Sequence, residues 1–164
     1  MAKVPVFYSF HFANDCFRVQ MVRNIGALEG DEPVTANEWE EVKRKGPTAV
    51  ERWIDEHMRY KRCVIVLVGS ETANRPWVKY EIVKAWNDGK GLFGIHIHNL
   101  KCARTESTCP KGPNPFDQIE MQDGSRLSSQ VMCYDPSSLN AYAAIQRGME
   151  QWVANAIAAA GRRF

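Results

Sequence analysis

The sequence lacks the features that would place it in several large functional classes. No apolar segment approaches the ~18–20 residues that a bilayer-spanning helix needs. The amino terminus, MAKVPVFYSF, has neither the long apolar stretch nor the cleavage pattern of a signal peptide. Lys and Arg number 21 against 19 Asp and Glu, a formal net charge of +2, so the clustered basic excess of a nucleic-acid-binding surface is missing. There is no glycine-rich loop of the Walker or dinucleotide type. Gly89, Gly91 and Gly94 precede an apolar run, the wrong side for cradling phosphate. The five cysteines, at positions 16, 63, 102, 109 and 133, contain no CxxC pair. With His96 and His98 they match no common zinc spacing, so no metal is expected. Cys16, Cys63 and Cys133 sit in apolar surroundings and read as small core residues of a reduced, cytoplasmic protein without a membrane or nucleic-acid partner.

What is present is an ordinary globular composition, 45% hydrophobic and 24% charged over 164 residues. That is the size of one α/β domain, and 1–164 is read as a single domain. Val4–Phe10 reads as a first, central strand. Asn14 or Asp15 is placed to cap a helix running to about Gly26, with Phe17, Met21 and Val22 facing inward. Ala27–Lys45 is mixed: a short helix fits Asn37–Val42, any second strand must be very short, and Lys43, Arg44 and Lys45 read as a solvated helix end. Gly46-Pro47-Thr48 starts a helix whose buried stripe is Val50, Trp53, Ile54 and Met58. Cys63–Val68 is a strand, Pro76 opens a helix over Arg75–Asp88, and Leu92–Ile97 is the next strand. Asn99–Gln130, rich in Pro, Gly, Ser and Thr, is too long for an inert connector and is expected to cover something. Val131–Tyr134 reads as an edge strand. Asp135–Ser138 then caps a helix over Leu139–Ala159, with Tyr142, Ile145, Met149, Trp152, Val153 and Ile157 inside. This order predicts a three-layer, doubly wound, mainly parallel α/β sheet of the flavodoxin-like kind.

The stretch most telling of function is Ser70–Trp86, SETANRPWVKYEIVKAW, directly after the apolar run CVIVLVGS. A run with no polar face reads as a buried parallel strand. The helix after it opens at that strand's carboxyl end, where open α/β sheets place ligands. Trp77 and Glu81 lie four residues apart and therefore share a helix face. An indole beside a carboxylate at this edge suggests a nucleotide or sugar site, since a carboxylate can hold ribose hydroxyls and stabilise an oxocarbenium-like centre. Against this stands the plain reading of Glu81 as a surface glutamate paired with Lys79 or Lys84. The first strand ends in Tyr8-Ser9-Phe10-His11, with Asn14 and Asp15 following, so this polar loop shares the edge and could receive a phosphate or ribose. Thr72, in the loop after the buried strand, joins the candidate binding set. His98 and Asn99, at the exit of a neighbouring strand, read as cleft wall.

Four blocks, VFYSFHFANDCFRV, AVERWIDEHM, CVIVLVGSETANRPWVKYEI and GLFGIHIHNLK, together resemble the TIR-like proteins of the DUF1863 (MTH538-type) group, which includes the TIR partner of the bacterial Thoeris anti-phage system. The resemblance runs from Val4 to Asn99 and weakly on through Asn114–Asp117 to Tyr134–Pro136, with WVKYE its specific part. It implies a TIR fold and consumption of NAD⁺ as a substrate, with no further cofactor. In catalytic TIR domains a glutamate four residues after a tryptophan on this helix is required to break the nicotinamide–ribose bond, a pattern matched by Glu81 after Trp77. The resemblance likewise implies that Ser9, Phe10 and His11 line the substrate pocket, to which Asp15, Thr72, Trp77 and His98 are added. It further implies a cyclic or modified ADP-ribose signal that activates a separate effector, self-association on activation, and a phage-derived trigger. Ala27–Lys45 departs from the usual TIR second strand and loop. Two other readings compete: a non-catalytic TIR-like or flavodoxin-like interaction module with a structural Glu81, and a flavin or receiver-type domain. The last lacks an acidic cluster after the first strand.

Overall fold

The computed structural model describes residues 4–23, 29–30, 36–101 and 108–163, with the side chains of 12–17, 29–30 and 36–38 outside that description. Cys63–Val68 has no polar side to offer to water, and it goes to the centre of the sheet as β3 with all six residues buried. Beside it on one side runs β1 (Pro5–Ser9), with Val6 opposite Cys63 and Ser9 opposite Val66. On the other side runs β4 (Gly91–His96), with Val68 opposite His96. Two short strands form the edges: β2 (Glu29–Gly30) against β1, and β5 (Cys133–Tyr134) against β4. The order is β2-β1-β3-β4-β5 with every pair parallel. This is the doubly wound, flavodoxin-like arrangement the sequence predicts. Strand order reverses between β1 and β3, so a ligand crevice is favoured at their carboxyl ends.

The alternation of side chains along the strands divides the core in two. One face carries Val6, Cys63, Ile65, Leu67, Phe93, Ile95 and Ile97, covered by α1 (Phe12–Arg23) and α5 (Ala141–Gly161) through Val19, Val22, Ile145, Met149 and Val153. The other carries Phe7, Val64, Val66, Val68 and Leu92, covered by α3 (Pro47–Met58) and α4 (Pro76–Asn87). Each fully buried aliphatic side chain contributes roughly 1.5–3 kcal/mol of transfer free energy. Proline stands in the first turn of both α3 and α4, where its missing N–H costs nothing. Helix α4 stops at Gly89, whose φ of 72° lets the chain turn while Lys90 N–H donates to the Ala85 carbonyl. The short α2 (Ala36–Arg44) lies beside α3 through Trp39 and Trp53.

The segment between β4 and β5 does cover something. Its described part holds two short 3-10 turns, Pro115–Gln118 and Leu127–Ser129, that drive Phe116, Leu127 and Val131 into the second face of the sheet. Gly94 makes room for them: a Cβ there would come within 2.9 Å of both the Phe116 ring and the Cys133 sulfur.

Two predicted helix starts are corrected. Helix α1 begins at Phe12, so Asn14 and Asp15 lie within it rather than capping it. Only Phe10 and His11 separate β1 from that helix, and the docking of the helix on the sheet sets the start in place of cap preference. Helix α5 begins at Ala141 with Asn140 in the cap position. The predicted cap segment is anchored elsewhere: Asp135 accepts from Lys111 at 2.7 Å, and the Pro136 carbonyl accepts from Asn99. Leu139 is accordingly 94% exposed and Tyr142 40% exposed, so the inner stripe of α5 starts at Ala141 and Ile145. Among the described cysteines Cys63 is buried, Cys109 and Cys133 are half-buried, and all three are unpaired. Cys102 and the Cys16 side chain lie outside the described residues. No described helix is long and apolar enough to cross a membrane.

Candidate active site

A cavity of about 250 Å³ opens at the carboxyl end of β1, on the switch-point side of the sheet. Its floor is β1 and the residues just after it, Phe7, Tyr8, Phe10 and His11. One wall is the first turns of α4, with Arg75, Pro76, Trp77, Val78 and Glu81. The opposite wall comes from α2 and α3, with Trp39, Trp53 and His57. Arg23, Glu40 and Lys43 complete the lining.

Glu81 is the singular group of this cavity. The helical period that puts Val78, Ile82 and Ala85 into the core brings Glu81 inward with them, and only 8% of its surface stays exposed. The side chain is not paired with Lys79 or Lys84, as the plain reading of a helix glutamate had it. Lys84 lies with Asp88 and Asp55 instead, at 2.8 and 3.7 Å. The Ser9 hydroxyl, itself buried, donates to Glu81 Oε1 at 2.9 Å across the boundary between β1 and α4. Burial pushes the Glu81 carboxyl up to about 8, against the pull of the Ser9 hydrogen bond, which favours the ionised form. A pKa of about 8 favours the carboxylic acid form of Glu81 at neutral pH.

The remaining predicted site residues separate into two groups. Phe10, His11 and Trp77 line the cavity with Glu81, and Ser9 stands immediately behind that carboxyl. Among the described residues the buried His11 Nδ1 has no hydrogen-bond partner, and burial together with the Arg75 charge lowers the ring's pKa. Trp77 meets Tyr80 edge-on at 5.7 Å. Thr72 and His98 are not brought to the cavity wall. The Thr72 hydroxyl accepts from the Gly69 N–H at 2.8 Å and closes the turn after β3. His98 lies past the end of β4, edge-on to His96 at 5.8 Å, with the Lys111–Asp135 pair nearby. His96 ends β4 opposite Val68, and β3 separates that strand from β1, so this histidine pair stands apart from the cavity. The Asp15 side chain lies outside the described residues. Among the described residues no group of three or more His, Cys, Asp or Glu is arranged to hold a metal ion.

Sequence reading missed the opposite wall. Helical spacing places Trp53 on the inner stripe of α3, and His57, one turn later, shares its face. The spacing of an aromatic and an imidazole at i and i+4 was the available signal. Lys43 is solvated, as read, and reaches Glu40 at 3.4 Å at the cavity rim.

Residues 7–102, which run from within β1 through β4 and include the Ser9, Trp77 and Glu81 positions, match the family model described as Thoeris protein ThsB, TIR-like domain. The chain belongs to the Thoeris ThsB TIR-like family. A relative from Bacillus cereus (strain MSX-D12), named "Putative cyclic ADP-D-ribose synthase ThsB1", is 38% identical over 135 residues, covering 77% of this chain and 69% of the relative. The five-stranded parallel sheet is thus a TIR-type fold, and its carboxyl-edge cavity lies within the part that defines the family.

Proposed function

We propose that this protein, a single TIR-like domain over 1–164, cleaves NAD⁺ at the nicotinamide–ribose bond and makes a cyclic or otherwise modified ADP-ribose signal for a separate effector in anti-phage defence. The observation that carries this reading is the buried Glu81 carboxyl, held by Ser9 at 2.9 Å on the wall of an aromatic cavity at the sheet's switch point. The name of the 38% identical relative supports the same chemistry.

The cavity of about 250 Å³ is open to solvent on one side and would receive part of the dinucleotide. The nicotinamide-bearing ribose would meet Glu81, with the pyrophosphate along the rim beside Arg23, Lys43 and Arg75. Ser9 engages Oε1, so Glu81 Oε2 meets the ribose hydroxyls. The pyridinium charge favours ionisation of Glu81, and the carboxylate then stabilises the positive charge that grows at C1′. The C1′–N bond breaks with its electron pair passing to nicotinamide. A nucleophilic atom of the same ADP-ribose captures C1′ and loses a proton to give a cyclic product, or water does so to give ADP-ribose. Trp77 and Phe10 exclude water and offer flat surfaces to the base. NAD⁺ is substrate here, not a resident cofactor. Self-association and a phage-derived trigger are part of the proposal.

The test is release of nicotinamide from NAD⁺, together with mass spectrometry of small molecules from infected cells carrying wild type or Glu81→Gln. The expected result is an ADP-ribose-derived product in wild type, reduced at least about 100-fold in the variant, as for loss of a principal electrostatic group. Absence of nicotinamide release and of any product in infected wild-type cells, with partner binding intact, would instead favour an interaction module in which Glu81 is structural.

A further inference from the structure

The wall opposite Glu81 is made of three rings in contact. Trp53 stacks on His57 with centroids 3.9 Å apart and planes 27° apart, and Trp39 meets Trp53 edge-on at 5.6 Å. All three line the cavity. His57 Nδ1 lies 2.7 Å from the Trp53 carbonyl oxygen. A carbonyl only accepts, so Nδ1 carries the hydrogen, and in the tautomer that this contact selects the acceptor lone pair lies on Nε2. Trp53 covers one face of the imidazole, and what a ligand can meet is the other face and the Nε2 edge. An imidazole whose tautomer is set by its own helix, on a ring backed by an indole, presents Nε2 to a donor lying in the plane of another flat ring.

We infer that Trp39, Trp53 and His57 form a base-recognition subsite, in which His57 Nε2 accepts a hydrogen bond from the exocyclic NH₂ (amine or carboxamide) of a planar nitrogen heterocycle packed against the aromatic wall. This rests on the NAD⁺ reading above and extends it to the base. Both ends of NAD⁺ carry such a group, the carboxamide of nicotinamide and the amine of adenine. A site that hydrogen-bonds a donor rejects an analogue lacking it, because the acceptor is then left unpaired.

The experiment measures equilibrium binding in the Glu81→Gln background, so that ligand is not consumed, using calorimetry on three dinucleotides. These are NAD⁺, acetylpyridine adenine dinucleotide (carboxamide amine replaced by methyl) and nicotinamide hypoxanthine dinucleotide (adenine amine replaced by oxygen). The expected result is that one analogue binds about 10-fold or more weaker than NAD⁺, and which one tells which base occupies the wall. Adding His57→Phe, which keeps a ring on Trp53 but no acceptor, should bring that ratio close to one. His57→Gln, which retains an acceptor near the Nε2 position, should preserve it. Circular dichroism establishes that each variant is folded. If NAD⁺ binds but both analogues bind equally well, or His57→Phe keeps the full ratio, the subsite is wrong and the NAD⁺ reading stands. If no dinucleotide binds and wild type releases no nicotinamide, the NAD⁺ reading falls and the subsite falls with it.

Discussion

Burial and the Ser9 hydroxyl pull the Glu81 carboxyl in opposite directions, and burial dominates. A carboxyl whose pKa is raised on folding adds stability below its ordinary value of 4.5 and loses that contribution as pH rises through about 8. Glu81→Gln, neutral at every pH, is therefore expected to melt close to wild type near pH 4.5 and increasingly above it as pH rises toward 8, with the gap constant beyond. Scanning fluorimetry across that window checks this; parallel curves for the two proteins would mean that Glu81 is not the group losing its proton. Ser9→Ala removes the 2.9 Å bond and leaves the carboxyl with less compensation for burial. Its expected cost is about 1–3 kcal/mol, and the Glu81 pKa should climb further. If the ionised form carries the reaction, the alkaline rise of nicotinamide release moves to higher pH in Ser9→Ala. An unchanged pH profile at lowered stability would restrict Ser9 to holding β1 against α4. Sequence placed Ser9 and Glu81 at the same sheet edge. It could not show that Ser9 addresses the carboxyl, because the pairing joins residues 72 positions apart.

At the level of elements, periodicity was a sound guide wherever a segment had one apolar face or none that was polar. Strand β3, helix α3 and helix α4 were legible for that reason, with proline marking both helix starts. The segment between β4 and β5 was not legible, since its packing hangs on a few isolated residues, Phe116, Leu127 and Val131, with no repeat between them. Two glycines seat it. Gly94→Ala would press a methyl group on Phe116 and Cys133 and is expected to cost about 1–3 kcal/mol. Gly112→Ala would set its Cβ against the Gly69 carbonyl, which is backbone and cannot swing aside. It should cost more than Gly94→Ala, measured as a lower urea midpoint at unchanged slope. If Gly112→Ala proves the milder of the two, the segment is not seated on the turn after β3 as described. The same limit explains the missed aromatic wall. Trp53 and His57 share a face by helical spacing, but what they face is decided by where α2 and β1 come to rest.

For the whole molecule, two sets of buried groups shape stability in opposite senses. His96 and His98 are held below their ordinary value of 6.5, chiefly by burial, with Asp135 opposing. A histidine depressed on folding loses stability for the protein as pH falls below 6.5, because the unfolded chain takes up the proton first. Glu81 acts the other way, lowering stability as pH rises from 4.5 toward 8. The sum predicts a maximum of melting temperature near pH 6.5, with the alkaline decline removed in Glu81→Gln and the acid decline softened in His96→Gln. A maximum well above pH 8 in wild type would show that other groups govern the curve.

The sequence by itself determined the fold class, the burial of β3 and the choice of Trp77 and Glu81, because hydrophobic period, proline position and the family pattern are local properties of the chain; that β3 rather than β1 takes the middle of the sheet came from the tertiary structure. Only the tertiary structure decided that Glu81 is buried and bonded to Ser9, that Thr72 and His98 lie off the cavity, and that Trp39, Trp53 and His57 close its far side. Those facts depend on how far apart in sequence the contacting residues are, and on a cavity bounded by β1, α2, α3 and α4 at once. The carboxyl group's protonation follows from that enclosure: a glutamate's ordinary acidity is a property of the residue, and its shift to about 8 is a property of the fold.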